Sequence, residues 1–444
     1  MPDFTPEQLA DWTGGRWTAR PAAALTGFAT DTRELRRGQA FVALRTDRRD
    51  GHDFLGAALA AGAGAAIVAT PDPAAALPQL VVADPLAAFQ AVARAHRREF
   101  AGPVIGITGS AGKTSTKNLL ALLLGDAVLA TVGNLNNHLG VPLTLTRLDP
   151  ARHRYAVIEA GISAPGEMAV LADMIEPDFA VVTLVAPAHL AGLGGLEGVA
   201  REKAVLAAAV RPGGMAFFPP GCAAFAAFRG LKTPAVVVAG TVAHDGASTR
   251  ITLAAEAAPF RLPRVSEGMA QNAALALSVA QRLGVAPGLL RSRLEQWRPA
   301  PLRGELRREG GRLLYLDCYN ANPASMADAL AAFAALAPAG APRLYVIGGM
   351  EELGAAAEIF HRELGRGLHL GPDDFMFVLG GNAGAVRDGA IEGGSRAAQV
   401  AVVDALDPVA ERLAGWRGAV FIKGSRRYQL ERLLDASSTP APAH

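Results

Sequence analysis

The sequence predicts an α/β fold of three consecutive units built mainly on parallel sheets. Two observations carry this. Between residues 101 and 300, short β-branched runs alternate with longer runs rich in alanine and leucine, the pattern of strand, crossover helix and strand. The alternation restarts near Pro301 and continues towards the C-terminus. The expected units are residues 1–100, 101–300 and 301–444.

The first unit opens on Thr5-Pro6-Glu7-Gln8, a capped helix start with Leu9 and Trp12 on one face. A strand at 40–44, a helix at 54–61 and a strand at 65–69 follow. Asp31, Thr32, Arg33 and the Asp50-Gly51-His52 turn fall on loops, where solvation and ligand contact are equally open readings. Strands of the second unit are expected at 104–107, 127–131, 155–159, 179–185, 215–219 and 235–238. Those of the third are expected at 313–316, 344–347, 375–379, 400–403 and 420–422. The final DASSTPAPAH reads as a disordered tail.

Composition narrows the function classes. Half of the 444 residues are hydrophobic and 19% are charged, as in a globular protein with large cores. The net charge of +2 and the absence of a long basic run argue against a nucleic-acid surface. Cys222 and Cys318 cannot make a disulfide framework and fit a reducing cytoplasm. The N-terminus lacks the charged and apolar regions of a signal peptide, and no apolar run is long enough for a membrane span.

The stretch VIGITGSAGKTSTKNLL at 104–120 organises the chain. A strand, a glycine-rich turn and a helix N-terminus form a phosphate cradle, because glycines let backbone N–H groups close on anionic oxygens and the helix dipole adds to the field. The loop comprises Thr108, Gly109, Ser110, Ala111, Gly112, Lys113, Thr114 and Ser115. Ile107 stands where a standard Walker loop has its first glycine, so this is a variant loop for a nucleoside triphosphate. Lys113 would reach the terminal phosphates and Thr114 would ligate Mg²⁺.

In a parallel sheet, residues just beyond the strand ends meet the ligand. Glu159 ends the YAVIE strand and is either a Mg²⁺ ligand or a surface carboxylate. His189 follows VVTLVAPA and is either structural or a metal ligand, while Lys203 in REKAVL alone reads as a solvated lysine. Asn134, Asn136 and Asn137 in GNLNNHLG, and Asp317, Asn320 and Asn322 in DCYNANPASM, give two loops dense in hydrogen-bonding groups that suit a polar ligand. Lys423 and Arg426 in IKGSRR are placed to meet a carboxylate or phosphate.

Together GITGSAGKTSTK, GNLNNHLGVPLTL, IEAGISAPGEM, APAHLAGLGGLEGVAREKAV, DCYNANPASM and IKGSR resemble, in order, the motifs of the Mur ligases, and DTRELRRGQAFVAL and DGHDF extend the likeness into the first unit. The resemblance implies a uridine-nucleotide domain, a central P-loop ATPase domain and a C-terminal Rossmann-like domain. It implies an ATP-dependent amide ligase of peptidoglycan synthesis, working as a cytoplasmic monomer on a UDP-muramoyl-tripeptide and D-alanyl-D-alanine. Lys113, Glu159, His189 and Lys203 become catalytic, with Thr114, Glu159, His189 and a carbamylated Lys203 around Mg²⁺. Asn272, Arg303 and Asp317 fall at the nucleotide, and Asp31, Thr32 and Arg33 in the uridine loop. Asn134, Asn136, Asn137, Asn320, Asn322, Lys423 and Arg426 fall on the substrate side. Leu184, Ala191, Val205, Gly268, Met269, Cys318 and Gly349 depart from the family pattern. A folylpolyglutamate-type ligase and a homologue with weakened catalysis are the alternatives.

Overall fold

The computed structural model describes residues 2–436 except 255 and 257; the tail from residue 437, expected to be disordered, lies outside the described residues. Three main sheets follow one another along the chain, and none of the described helices is long and apolar enough to cross a membrane.

The first sheet has five strands in the order Arg16–Trp17, Gln79–Val81, Ala65–Val68, Ala40–Val42 and Phe28–Ala29. Only the outermost pairing, of Arg16–Trp17 with Gln79–Val81, is antiparallel. Its leading helix, Pro6–Thr13, starts on a reciprocal capping box: Thr5 Oγ1 accepts from Gln8 N, and Gln8 Oε1 accepts from Thr5 N.

The central sheet is fully parallel, in the order Ala235–Val237, Met215–Phe218, Phe179–Val182, Val104–Thr108, Tyr155–Glu159 and Val128–Ala130. Both faces are covered, which is why its strands read as continuous apolar runs. Val104, Ala156, Ile158 and Val182 enter one core, and Ile105, Ile107, Val157 and Val181 enter the other. The strand leading to the glycine turn is central, so the turn opens at the carboxyl ends of the sheet between two neighbours.

Two regions differ from the expected alternation. After Ala235–Val237 the chain folds into an antiparallel three-stranded sheet, Thr241–Asp245, Ser248–Thr252 and Phe260–Pro263. Asp245 pairs with Ser248 across Gly246, whose positive φ of 50° suits a tight hairpin. In the C-terminal sheet a charged edge strand, Glu305–Glu309, pairs antiparallel with Arg312–Asp317 around Gly310 and Gly311, both at positive φ. Arg312–Asp317, Gly418–Lys423, Arg343–Gly348, Phe375–Leu379 and Val400–Val402 then run parallel.

The first unit is pinned to the central one by the helix Pro85–Glu99. Arg97 is fully buried and donates to the carbonyls of Ile175 and Glu176 at 2.8 and 2.7 Å and to Asp178 Oδ2 at 2.8 Å. Asp178 also accepts from Val104 N, the first residue of the central strand. Removing a buried charge while leaving its acceptors in place is strongly destabilising. Arg97→Met is expected to lower the unfolding free energy by about 3 kcal/mol in urea titrations, and an unshifted midpoint would contradict this.

Candidate active site

The turn after Val104–Thr108 is held from outside. Gly109 has φ +150°, and a Cβ there would lie 1.9 Å from Thr183 Oγ1. Gly112 is left-handed at φ +81° and caps the helix Lys113–Leu124; a Cβ there would lie 2.4 Å from Asn272 Nδ2. Both glycines are therefore required by conformation and by close approach. Thr183 Oγ1 donates to the Ala111 carbonyl, and Ser110 N donates to the Leu184 carbonyl at 2.8 Å. Ser110 Oγ donates to the Ala186 carbonyl and accepts from Ala186 N. Asn322 Nδ2, from the C-terminal unit, donates to the Ser110 carbonyl at 3.0 Å.

This turn forms one wall of a cavity of about 420 Å³ between the central and C-terminal units. Ser110, Ala111, Gly112, Lys113, Thr114, Ser115, Asn134, Asn136, Glu159, Asn272, Arg303, Asp317, Asn320, Asn322 and Lys423 all line it. Thr108 lies just beneath, fully buried at the strand end. Lys113 Nζ donates to the Gly109 carbonyl at 2.9 Å, folding the ammonium back over the turn. Burial lowers its pKa, Glu159 acts in the opposite sense, and Arg303 lowers it further. The Arg303 guanidinium stacks 3.9 Å from the Tyr319 ring centroid.

Glu159 is buried at the end of its strand. Its Oε1 accepts from Asn136 Nδ2 at 2.8 Å, whereas Oε2 has no protein partner. An unpaired carboxylate oxygen in a polar cavity, with the Thr114 hydroxyl at the same helix N-terminus, suits a hard cation. Among the described residues no group of three or more His, Cys, Asp or Glu is placed to hold a metal.

The other sequence candidates do not line the cavity. His189, left-handed at φ 53°, pairs through Nδ1 with Glu352 of the C-terminal unit, itself left-handed at φ 63°. Lys203 is 2% exposed and makes no hydrogen bond among the described residues, so the solvated reading fails. Burial and the nearby Lys113 bring its pKa down to about 7. Asn137 is spent locally: its Oδ1 accepts from Leu139 N and Gly140 N at the start of the helix Gly140–Leu145. Arg426 is exposed and pairs with Glu431. Asp31, Thr32 and Arg33 lie on the first unit, outside the cavity, where Arg33 holds the Asp31 carboxyl down to about 2.

Asp317 and Lys423 end neighbouring parallel strands and pair at 2.5 Å; Lys423 Nζ also donates to the Asn320 carbonyl. Burial raises the Asp317 pKa and Lys423 opposes the rise. Two groups escaped the sequence reading. Thr183 carried no motif signal, and Lys117 was visible only as a second lysine one helical turn after Lys113.

Gly109→Ala is expected to weaken nucleotide affinity at least about tenfold and to cost about 1–3 kcal/mol of stability, because Thr183 must be displaced. Calorimetric titration with ADP and a thermal melt check both, and wild-type values in both would contradict the tight approach.

Residues 107–279 match the family described as Mur ligase middle domain, and residues 302–426 the Mur ligase, glutamate ligase domain. The UDP-N-acetylmuramoyl-tripeptide–D-alanyl-D-alanine ligase of Escherichia coli is 32% identical over 457 residues, covering 98% of each chain. The crystal structure of MurF from Acinetobacter baumannii superposes with a TM-score of 0.89 at 29% identity, covering 98% of this chain and 99% of that one. MurF from Thermotoga maritima in complex with ADP gives 0.80 at 27% identity, covering 93% and 96%. With the three-domain α/β architecture and the glycine turn at the carboxyl ends of a parallel sheet, these likenesses show that the chain belongs to the Mur ligase family.

Proposed function

We propose that this chain joins D-alanyl-D-alanine to a UDP-N-acetylmuramoyl-tripeptide at the expense of ATP. The observation that carries the reading is the convergence, in one cavity, of the phosphate turn, the half-paired Glu159 and the asparagine-rich loops from both domains. It is supported by the nearly full-length likeness to the E. coli enzyme of that name. In this reading residues 1–100 hold the uridine nucleotide, with Asp31, Thr32 and Arg33 in the contact loop. Residues 101–300 hold ATP, and residues 301–444 bring the dipeptide.

The chemistry follows from what the residues can do. A carboxylate is a poor acyl donor. An oxygen of the peptide carboxylate therefore attacks the γ-phosphorus of ATP, ADP leaves, and the dipeptide amine adds to the acyl phosphate. The tetrahedral intermediate expels phosphate and loses the amine proton to give the amide. Lys113 balances the charge of the moving phosphoryl group, and the backbone N–H groups of the turn orient it. Mg²⁺ bound with the nucleotide would neutralise phosphate charge, held by the Thr114 hydroxyl and Glu159 Oε2. Asn272, Arg303 and Asp317 face the nucleotide. Asn134, Asn136 and Asn320 face the peptide, and Lys423 keeps its loop in shape. The reading places the enzyme as a monomer in the cytoplasm, where ATP is available and the free thiols Cys222 and Cys318 stay reduced.

Lys203 has a distinct role. An amine with a pKa near 7 is about half unprotonated at neutral pH, so a sizeable fraction can add to CO₂ and release a proton, giving an anionic carbamate. That anion, buried near Lys113, turns a repulsion between two cations into an attraction.

Phosphate release with ATP, UDP-muramoyl-tripeptide and D-alanyl-D-alanine tests the function directly. Dipeptide-dependent release is expected; nucleotide binding without it would sink the enzyme reading, and release with glutamate and a folate instead would favour the folate-type alternative. Lys113→Met should reduce kcat at least about 10³-fold while leaving the melting curve in place, and retained turnover would refute the phosphate role. Bicarbonate should stimulate the wild type, and Lys203→Ala should lose activity that bicarbonate cannot restore. Full activity of that variant would remove the carbamate.

A further inference from the structure

Lys117 has been assigned no role so far and does not line the cavity. It lies one turn beyond Lys113, on the same face of the helix Lys113–Leu124, and is only 4% exposed. Its ammonium makes a single hydrogen bond among the described residues, to the Thr131 carbonyl at 2.6 Å. Thr131, itself 1% exposed, follows the strand Val128–Ala130 and opens the asparagine loop. The Thr131 hydroxyl in turn accepts from Glu159 N at 2.9 Å, and Thr131 N donates to the Val157 carbonyl.

A buried ammonium with one partner is costly, and an apolar side chain of similar length would fill the same space without that cost. The charge has a counterpart nearby: Glu159 opposes the loss of the Lys117 proton, while burial and Arg303 promote it. One lysine thus connects three parts of the site: the phosphate helix, the loop carrying Asn134 and Asn136, and the backbone of Glu159. Asn136 completes the circuit by donating to Glu159 Oε1.

We propose that Lys117 is a positioning residue, which through Thr131 fixes the Glu159 carboxylate and the 131–137 loop relative to the phosphate turn before any ligand binds. This inference rests on the ligase reading for its kinetic consequence but not for its structural one. It implies that the carboxylate is pre-aimed in the free protein, with Oε2 left open and Oε1 fixed.

The test compares wild type with Lys117→Met. Amide hydrogen exchange is first read on protein free of nucleotide and metal. Exchange at 131–137 and 159–161 is expected to rise about tenfold or more, with the distant C-terminal sheet unchanged. In the phosphate-release assay kcat should fall about 10–100-fold, the usual effect of removing a group that orients a ligand-holding side chain, while the KM for ATP stays within about threefold. Unchanged local exchange would overturn the proposal, as would a uniform rise over the whole molecule, which marks an ordinary core staple. Wild-type kcat would overturn the kinetic consequence. Should Lys117→Met fail to fold, Thr131→Val keeps the lysine and its carbonyl partner but removes the hydroxyl link to Glu159. It should raise exchange at 159–161 and lower kcat, and wild-type behaviour in both would overturn the proposal. Because the exchange arm is read on the free protein, it stands apart from any failure of the ligase reading.

Discussion

The site depends on satisfying, from outside, the carbonyls of a turn whose N–H groups must face a ligand. A loop that turns its donors inwards leaves buried acceptors that need partners. Thr183 supplies one to Ala111, Asn322 supplies one to Ser110, and Lys113 covers Gly109. Asn272 fills the space beside Gly112 that any side chain there would need. The partners come from a neighbouring strand end, a helix and another domain, so the turn's shape records the packing of the whole central sheet against the C-terminal unit.

The second constraint is charge. Lys113, Lys117, Lys203 and Arg303 lie close enough to influence one another or the groups between them, with Glu159 and the paired Asp317 as the opposing charges. Burial penalises each cation, and the penalty is greatest before a polyanion arrives. A triphosphate would relieve it and favour the charged form of Lys113, so the electrostatic strain of the free protein becomes binding energy for phosphate. Lys203 shows the other outcome, an amine held where it can shed its proton rather than find a partner.

Much of this was legible in the sequence because it rests on local rules. The strand and helix around the glycine turn follow from apolar runs and glycine spacing, and Glu159 stands out as a carboxylate ending an apolar strand. The antiparallel sheet after residue 240 was missed although Asp245-Gly246 is a hairpin signal, because the surrounding alternation of strand and helix dominated the reading. The Glu305–Glu309 edge strand was missed because its charged residues hide the β pattern, yet charge is what keeps an open edge from pairing with another chain. Lys203 misled for another reason: nothing local distinguishes a solvated lysine on a helix from one that tertiary packing buries. Asn137 and Arg426 stood in polar motifs, but whether an asparagine closes its own turn or an arginine finds a neighbouring glutamate depends on backbone geometry that spacing does not encode.

Asn322 links these strands of argument. Its Oδ1 accepts from Ser325 N and so caps the helix Pro323–Leu336, while its Nδ2 holds the phosphate turn. Along the same boundary Asp328 accepts from Gly268 N, where a Cβ would meet the carboxylate at 2.7 Å, and a Cβ at Gly354 would lie 3.0 Å from the Ala191 Cβ. Gly268 and Ala191 are both small residues at points of close approach between domains. The domain contact and the phosphate turn therefore share a hydrogen bond and a packing surface. A ligand that shifts the Ser110 carbonyl acts on a hydrogen bond to the C-terminal domain, and by reciprocity the position of that domain bears on affinity at the turn.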